Sequence, residues 1–522
     1  MISNKNNKRG NKKSFSSSNY VIIILASIIV VLLAILNAII FNPGNNEPQN
    51  VVESESIVKI VKIKKVNTLK YWNVVLEVWH QGGHLRTMDR VFNSMQYEFA
   101  NVSHNEDWDF LWSIESPFSH YEEKSDNHFF NISNNPLRQE QKVNHFPGIS
   151  ALASKSYMNE INAHLKYILP SFVLPQDKKE FQKFLTDNPK AKLVEKNVYN
   201  RGVYLIEAKD VIYDNSDVFY QQFMDKPFLI DGHAFDFGIF VLITSFNPVR
   251  VYRFDADVLF RFCREKYYPF DPENRDKYVV RQGCHPPYDM PTFEKSFEMF
   301  KHPFKSIFEN YISKKGFDVK ELWKKIDDAI VKISLNTEYR IIKKAKAMNY
   351  STHHFFELVR FDFIFDENLT PYVMEVNMSP NLTPAHKRYE INAIIYEQLI
   401  YNTVKMVGGG SYFEFMSRFN DLDVMIANRK NIAVDIKSCL KYECHRSCEH
   451  KNCRLCMPCV NENDRYQMRE AFREHLYEGN FRRLFPAKEY YNDTKFYESI
   501  TTKNQISLDW FKAKCLEDDR WC

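Results

Sequence analysis

The stretch Phe361-Asp-Phe-Ile-Phe-Asp366-Glu-Asn-Leu-Thr370-Pro-Tyr-Val-Met-Glu-Val-Asn-Met-Ser-Pro380 decides the fold. Side chains alternate along a strand, so Glu375 and Asn377 share one face, and Tyr372, Met374 and Val376 share the other. Phe361, Phe363 and Phe365 likewise line one face and leave Asp362 opposite. Asp366-Glu-Asn-Leu369 has turn composition, which pairs the two strands as a hairpin. Two carboxylates and an amide oxygen then converge on one side of an otherwise apolar sheet. Hard oxygen ligands of this kind suit Mg²⁺, which takes one or two carboxylates together with nucleotide phosphates. A half-exposed hairpin with acids on its wet face has the same pattern.

Working outward, Val319 to Lys344 carries Leu322, Ile326, Ile330 and Ile333 at helical spacing and leads into the hairpin. Between Ile230 and Phe254, Phe237, Ile239, Val241 and Ile243 alternate before Ser245-Phe-Asn-Pro248 marks a turn and Val249-Arg-Val-Tyr-Arg-Phe254 resumes. A second hairpin of a mixed or antiparallel sheet is expected there. Strands and helices together give an α/β (α+β) fold class. The 522 residues, 44% hydrophobic and 15% aromatic, suffice for two or three packed domains. A net charge of +4 is small for this length and points to no nucleic-acid partner.

Val21 to Phe41 is apolar apart from Ser27 and Asn37, long enough for a helix to cross a bilayer. Lys5, Lys8, Arg9, Lys12 and Lys13 precede it, whereas Glu47, Glu53 and Glu55 follow. By the positive-inside tendency this is a single-pass type II anchor, with the N-terminus cytosolic and the main domain lumenal or extracellular. The run is too long for a cleaved signal peptide and lacks a small-residue site to close it. Eight of the ten cysteines lie after residue 438, at 439, 444, 448, 453, 456, 459, 515 and 522. In a chain with a membrane signal, that even and tight set is expected to form disulfides. Zinc is the alternative, since Cys453-x-x-Cys456-x-x-Cys459 has His445 and His450 nearby. Sequons occur at Asn101, Asn131, Asn349, Asn368, Asn377, Asn381 and Asn492, of which Asn377 and Asn381 flank the expected metal site.

The organisation expected is a basic tail over 1–19, an anchor over 20–41 and a linker over 42–69. An N-terminal subdomain (70–150), a central subdomain (151–230), a third subdomain holding the metal site (231–406) and a Cys-rich extension (407–522) follow.

These pieces resemble the tubulin-tyrosine-ligase-like family, whose members are ATP-grasp ligases that join an amino acid to a protein carboxylate. The run Phe356 to Leu382 is similar to the family's FEL-x-x-FD strand followed by P-x-x-x-EVN-x-x-P-x-L. Asp107-Trp-Asp-Phe-Leu-Trp112 with Pro117-Phe118, and Gln141-Lys-Val-Asn-His-Phe-Pro-Gly148, resemble its N-terminal landmarks. Leu174-Pro-Gln-Asp-Lys-Lys-Glu-Phe181 and Gln221-Gln-Phe-Met-Asp-Lys-Pro-Phe-Leu-Ile230 fit the same order, across roughly residues 75 to 405.

The resemblance implies an ATP-grasp fold in which ATP lies between two sheets. Mg²⁺ would be held by Asp362, Glu375 and Asn377, with Arg261 and Glu375 in catalytic positions. Lys196, Arg201, Gly202, Gln221, Arg261 and Asn377 would face the nucleotide, Lys196 as a phosphate contact and Gln221 where the chain passes the adenine. An acceptor carboxylate would be phosphorylated and then attacked by an amino acid, glutamate for the chain-forming members, with tubulin as the inherited acceptor. Metal and cations would carry most of the phosphoryl step by neutralising charge.

Departures from the family pattern lie across the cleft. Where K-F-D-x-R is usual this chain has Ala234-Phe-Asp-Phe-Gly238, and where H-L-T-N follows it has Val280-Arg-Gln-Gly-Cys-His285. Arg281 and His285 are candidate substitutes for the missing cations. Two functions follow from the resemblance: an active glutamate ligase, or a catalytically silent relative that serves as a membrane-anchored binding protein. A metal-dependent hydrolase on the same hairpin would need a water-activating histidine cluster, which the sequence does not display.

Overall fold

In a computed structural model of the protein, the described residues form three sheets. It describes residues 70–74, 86–100, 108–114, 116–118, 137–138, 141–197, 202–213, 218–281, 283–384, 389–408 and 427–522. The expected anchor at 20–41 and Arg201 lie outside these residues. Among the described residues no helix is long and apolar enough to cross a membrane.

The first sheet is parallel, in the order β2-β1-β3-β4, from β1 (Lys70–Val74), β2 (Glu98–Phe99), β3 (Phe110–Ser113) and β4 (Lys142–Val143). Helix α1 (Arg86–Ser94) packs Phe92 against Phe110, and α2 (Lys155–Asn162) leads toward the second sheet. That sheet is antiparallel, in the order β5-β8-β6-β7: β5 (Ser171–Val173), β6 (Leu193–Asn197), β7 (Val203–Ile206) and β8 (Val218–Gln222). Helix α3 (Lys178–Asp187) seals it by placing Phe181 against Phe172 and Tyr220.

The main sheet runs β13-β12-β9-β10-β14, with β11 also on β9. Its strands are β9 (Phe235–Phe246), β10 (Val249–Phe254), β11 (Leu259–Phe262), β12 (Glu357–Phe365), β13 (Pro371–Met378) and β14 (Phe481–Phe485). Both expected hairpins are present, β9 with β10 and β12 with β13, each antiparallel. Phe237, Ile239, Val241 and Ile243 enter the larger core together with Phe361 and Phe363. Opposite them, Ile326, Ile330 and Ile333 project from α4 (Val319–Ala347), whose Asp318 side chain accepts bonds from the Lys320 and Glu321 amides and caps its first turn. Phe240, Leu242 and Leu358 face the other way, toward Tyr396 and Leu399 of α5 (Tyr389–Met406). A sheet covered on both sides reads as a nearly continuous apolar run, which is why β9 carries so little polar alternation.

One expectation is corrected. Asp362 pairs with Glu375 but Phe363 pairs with Val373, so β13 carries a bulge at Met374. The freed Val373 amide donates instead to the Tyr167 carbonyl at 2.9 Å. Val373 and Val376 therefore both enter the core, while Met374 turns to the same side as Glu375, and Tyr372 lies opposite Ile364. Of the three residues expected to face away from Glu375, only Val376 does.

The last segment of the chain is woven into this sheet. Strand β14 pairs antiparallel with β10, and α6 (Glu462–Leu476) and α7 (Thr502–Glu517) follow the same segment inward, Leu508 reaching the main core. Before α6 the cysteines pair as Cys439–Cys456, Cys444–Cys453 and Cys448–Cys459, and near the terminus as Cys515–Cys522. The disulfide alternative is the one observed, and the thiols that a zinc site would need are consumed. Asn349, Asn368, Asn381 and Asn492 are exposed, whereas Asn377 is half-buried in the site described next.

Candidate active site

One face of the main sheet is only partly covered, because α5 packs on Phe240 and Leu358 and stops short of the next residues along β9 and β12. Asp236 and Gly238 of β9, Arg261 of β11, Arg360 and Asp362 of β12, and Glu375 and Asn377 of β13 occupy that stretch. Asp362 is the direct cross-strand partner of both Gly238 and Glu375. The three expected metal ligands do meet: Asn377 Nδ2 donates to Asp362 Oδ2 at 2.9 Å and to Glu375 Oε1 at 3.2 Å. Two carboxylates and an amide are hard donors of the type a magnesium ion accepts, so the residues present fit that ion. Among the described residues there is no cluster of three His, Cys, Asp or Glu side chains that would form an all-protein cage.

Cations surround this group. Arg360 grips Asp362 with both arms, Nε to Oδ1 at 2.6 Å and one terminal nitrogen to Oδ2 at 2.8 Å. Arg261 bridges Asp236, Nε to Oδ1 at 2.8 Å, and Asp362 at 2.9 Å. Burial pushes the Asp236 carboxyl up to about 6 even though Arg261 pulls the other way. Lys155, the first residue of α2, lies 3.0 Å from Glu375. Burial disfavours the Glu375 charge, but Lys155, Asn377 and Lys196 together outweigh it and hold the carboxyl at about 2.

A cavity of about 180 Å³ separates this face from the second sheet. Its floor is Asp362, Ile364, Met374 and Glu375, its opposite wall Val194, Lys196 and Val203, and its end Phe223, Met224, Tyr267 and Tyr278. Apolar and aromatic walls with charges gathered at one end suit a ligand with a flat ring and an anionic tail. Lys196 is buried and donates to Gln221 Oε1 at 2.5 Å. Burial and the neighbouring Lys155 push its ammonium down to about 7, against the pull of Glu375.

Not every expected residue lines the cavity. Gln221 is fully buried behind Lys196, and its amide nitrogen donates to Ser171 Oγ at 2.8 Å and Asn159 Oδ1 at 3.2 Å. Gln222, Phe223 and Met224 form the wall in its place. Gly202 opens β7 with φ +87°, a conformation that favours glycine, and its missing side chain leaves room for the Tyr204 ring. Arg281 is spent on Asp276 at 2.5 Å, and His285 Nε2 lies 3.0 Å from the Arg264 carbonyl, so neither replaces the cations missing at Ala234 and Gly238. Lys155, Asp236 and Arg360 were not among the expected site residues. Arg360 had a signal all the same: an arginine two residues before Asp362 on one strand must share its face.

Behind the expected metal ligands the turn after β13 is pinned. Ser379, with φ +45°, brings its hydroxyl to 2.9 Å from His145 Nε2, and His145 Nδ1 lies 2.8 Å from Glu357. This fully buried His–Glu pair ties the first sheet to β12 and fixes the backbone next to Asn377.

Comparison with known proteins agrees with this arrangement. Residues 130–412, more than half of the chain, match the model of the "Tubulin-tyrosine ligase family". The chain is 30% identical over 450 residues to "Probable tubulin polyglutamylase ttll-15" of Caenorhabditis elegans, covering 84% of each protein. It is 30% identical over 292 residues to "Tubulin monoglutamylase TTLL4" of Mus musculus, 52% of this chain and 24% of the mouse protein. Against "Tubulin polyglutamylase ttll6" of Danio rerio it is 27% identical over 297 residues, 53% of this chain and 37% of the fish protein. The matched segment contains the second sheet, β9 to β13 and every expected site residue, so the mixed α/β architecture and the family pattern coincide. The chain belongs to the tubulin-tyrosine ligase family.

Proposed function

We propose that this protein is an ATP- and Mg²⁺-dependent ligase that joins glutamate to a carboxylate of a protein acceptor, tubulin being the acceptor named for its relatives. The observation that carries the proposal is the direct pairing of Asp362 with Glu375, with Asn377 between them, at the charged end of a cavity whose far wall holds Lys196. Asp362, Glu375 and Asn377 would hold the magnesium ion, which supplies charge neutralisation at phosphate oxygens. Lys196 reaches the same end from the second sheet, and Arg261 presents N–H groups beside Asp362. The aromatic end at Phe223 and Tyr278 excludes water from a bound ring. Residues 20–41 are, in this proposal, a type II membrane anchor; four disulfides support an oxidising compartment for the main domain.

Ala234 and Gly238 favour a second reading, a silent relative that binds nucleotide without transferring its phosphate. The full chain with MgATP, labelled glutamate and tubulin separates the two. Incorporation is expected; MgATP binding without incorporation into tubulin or any other acceptor would favour the silent relative.

Nucleotide affinity should also depend on pH. Burial pushes the Lys196 ammonium down to about 7, so above that value the lysine must take up a proton as a phosphate-bearing ligand binds. Affinity for MgATP is expected to fall with rising pH from about 7, by at most roughly tenfold per unit, and Lys196→Arg should flatten the profile. In the apoprotein the sign is opposite. A folded value below the ordinary 10.5 means the unfolded chain binds more protons between about 7 and 10.5, so the Lys196 contribution to stability rises with pH across that window. Titration calorimetry at several pH values, in buffers of differing ionisation enthalpy, measures the proton uptake directly.

A further inference from the structure

Gly238 sits in the middle of a buried strand, where glycine weakens a sheet and where its extended backbone does not require one. The reason for it is steric. A Cβ at 238 would come within 2.9 Å of Arg360 Cδ and 3.2 Å of both Asp362 Oδ1 and Leu259 Cβ. The Arg360 stem therefore lies across the face of residue 238, and its guanidinium ends against Asp362, whose side chain lines the cavity. We infer that Arg360 is an oxyanion-binding residue of this cleft, placed to hold the terminal phosphate of a nucleotide beside Asp362, and that Gly238 is the space kept for it.

A role limited to neutralising Asp362 does not account for the arrangement, because Asp362 already receives Arg261 and Asn377. Arg261, Arg360 and Lys155 already match Asp236, Asp362 and Glu375 one for one, before a protonated Lys196 or a metal ion adds to the positive side. Asp362 would share its oxygens between a magnesium ion and the two arginines that now bond to it, and the N–H groups of Arg360 so released would be free to bond phosphate oxygens, which a planar guanidinium matches. The guanidinium absent from position 238 is thus present at the site, delivered from the neighbouring strand.

The inference rests on the nucleotide-dependent reading above, and the test separates the two. Binding of MgATP and of AMP, which lacks the terminal phosphates, is measured by equilibrium dialysis on the full chain, on Arg360→Met, which keeps the stem over Gly238, and on the exchange variant Arg360→Gly with Gly238→Arg. Arg360→Met is expected to weaken MgATP roughly 10- to 100-fold, the scale of a lost charge-assisted contact, and to leave AMP within about twofold. The exchange variant is expected to regain most of the MgATP affinity. Unchanged MgATP affinity in Arg360→Met overturns the inference, as does equal weakening of MgATP and AMP, which would mark a structural role. A folded exchange variant no better than Arg360→Met overturns the pairing with Gly238. If the wild type binds MgATP but incorporates no glutamate, the ligase reading fails while the MgATP arm still decides the role of Arg360; a wild type that binds no MgATP overturns both.

Discussion

Replacing Glu375 with glutamine is expected to lower glutamate incorporation by roughly 10²- to 10³-fold or more, the scale on which one preorganised electrostatic contact acts in a water-poor site. Glu375 is one of only two carboxylates in the Asp362–Glu375–Asn377 group, so the change removes half of its formal negative charge. It also leaves Lys155, 3.0 Å away, without its ion-pair partner, and the ammonium so unpaired repels a cation. Glutamine keeps the size and can still hydrogen-bond to Asn377, so the fold should survive, with a melting temperature below that of the wild type at neutral pH and close to it in acid. A second readout comes from acid. Because the folded value of about 2 lies below the ordinary 4.5, Glu375 contributes stability that is fully present above 4.5 and is lost as pH falls toward 2. Wild-type stability should therefore drop through that window by more than the variant's does. A variant that retains a tenth of the activity would remove Glu375 from the reaction.

Glu474→Ala is expected to destabilise the protein by about 3–5 kcal/mol, the usual cost of removing one partner of a buried ion pair. Arg250 on β10 donates to Glu474 from Nε at 2.8 Å and from a terminal nitrogen at 2.9 Å, and the hydroxyls of Tyr252 and Thr244 add bonds at 2.7 and 2.9 Å. Both partners are nearly inaccessible, at 3% for Arg250 and 2% for Glu474. The alanine variant leaves a guanidinium buried beside two unsatisfied hydroxyls, still donating to Gln467 at 2.9 Å. Since whole domains are stable by only about 5–15 kcal/mol, urea unfolding should show a large fall in midpoint. Arg250→Met combined with Glu474→Leu should recover much of it, because an apolar pair of similar volume avoids the uncompensated charge. An alanine variant within 1 kcal/mol of wild type would mean that α6 does not hold the sheet in this way.

Glu474 belongs to the segment in which sequence patterning says least. The cysteines after residue 438 were legible as disulfides from their number and crowding, because an even, clustered set is a compositional fact. Their pairing was not, since any two thiols in so short a span are sterically eligible. That Phe481-Arg-Arg-Leu-Phe485 would complete the main sheet against β10 was equally hidden: five residues with two arginines have no distinct period, and their partner lies far upstream.

The hairpin shows the same division within a single motif. Alternation and turn chemistry were enough to pair β12 with β13 and to bring Asp362, Glu375 and Asn377 together, because both are properties of neighbours in sequence. The bulge at Met374 was not legible. An inserted residue leaves composition unchanged, and what makes it favourable is the Tyr167 carbonyl that accepts the displaced Val373 amide.

By itself the sequence determined the two hairpins, the long helix and the shared face of Asp362, Glu375 and Asn377, which rest on local periodicity, and the family resemblance, which rests on motifs matched in order. Tertiary structure alone decided which charges act together. Arg360 stands over Gly238, Lys155 reaches Glu375 from α2, and Glu474 locks the final segment onto β10. Charge and steric contact act through space and fall off over a few ångströms, so residues far apart in the chain become one site only after the sheets have packed.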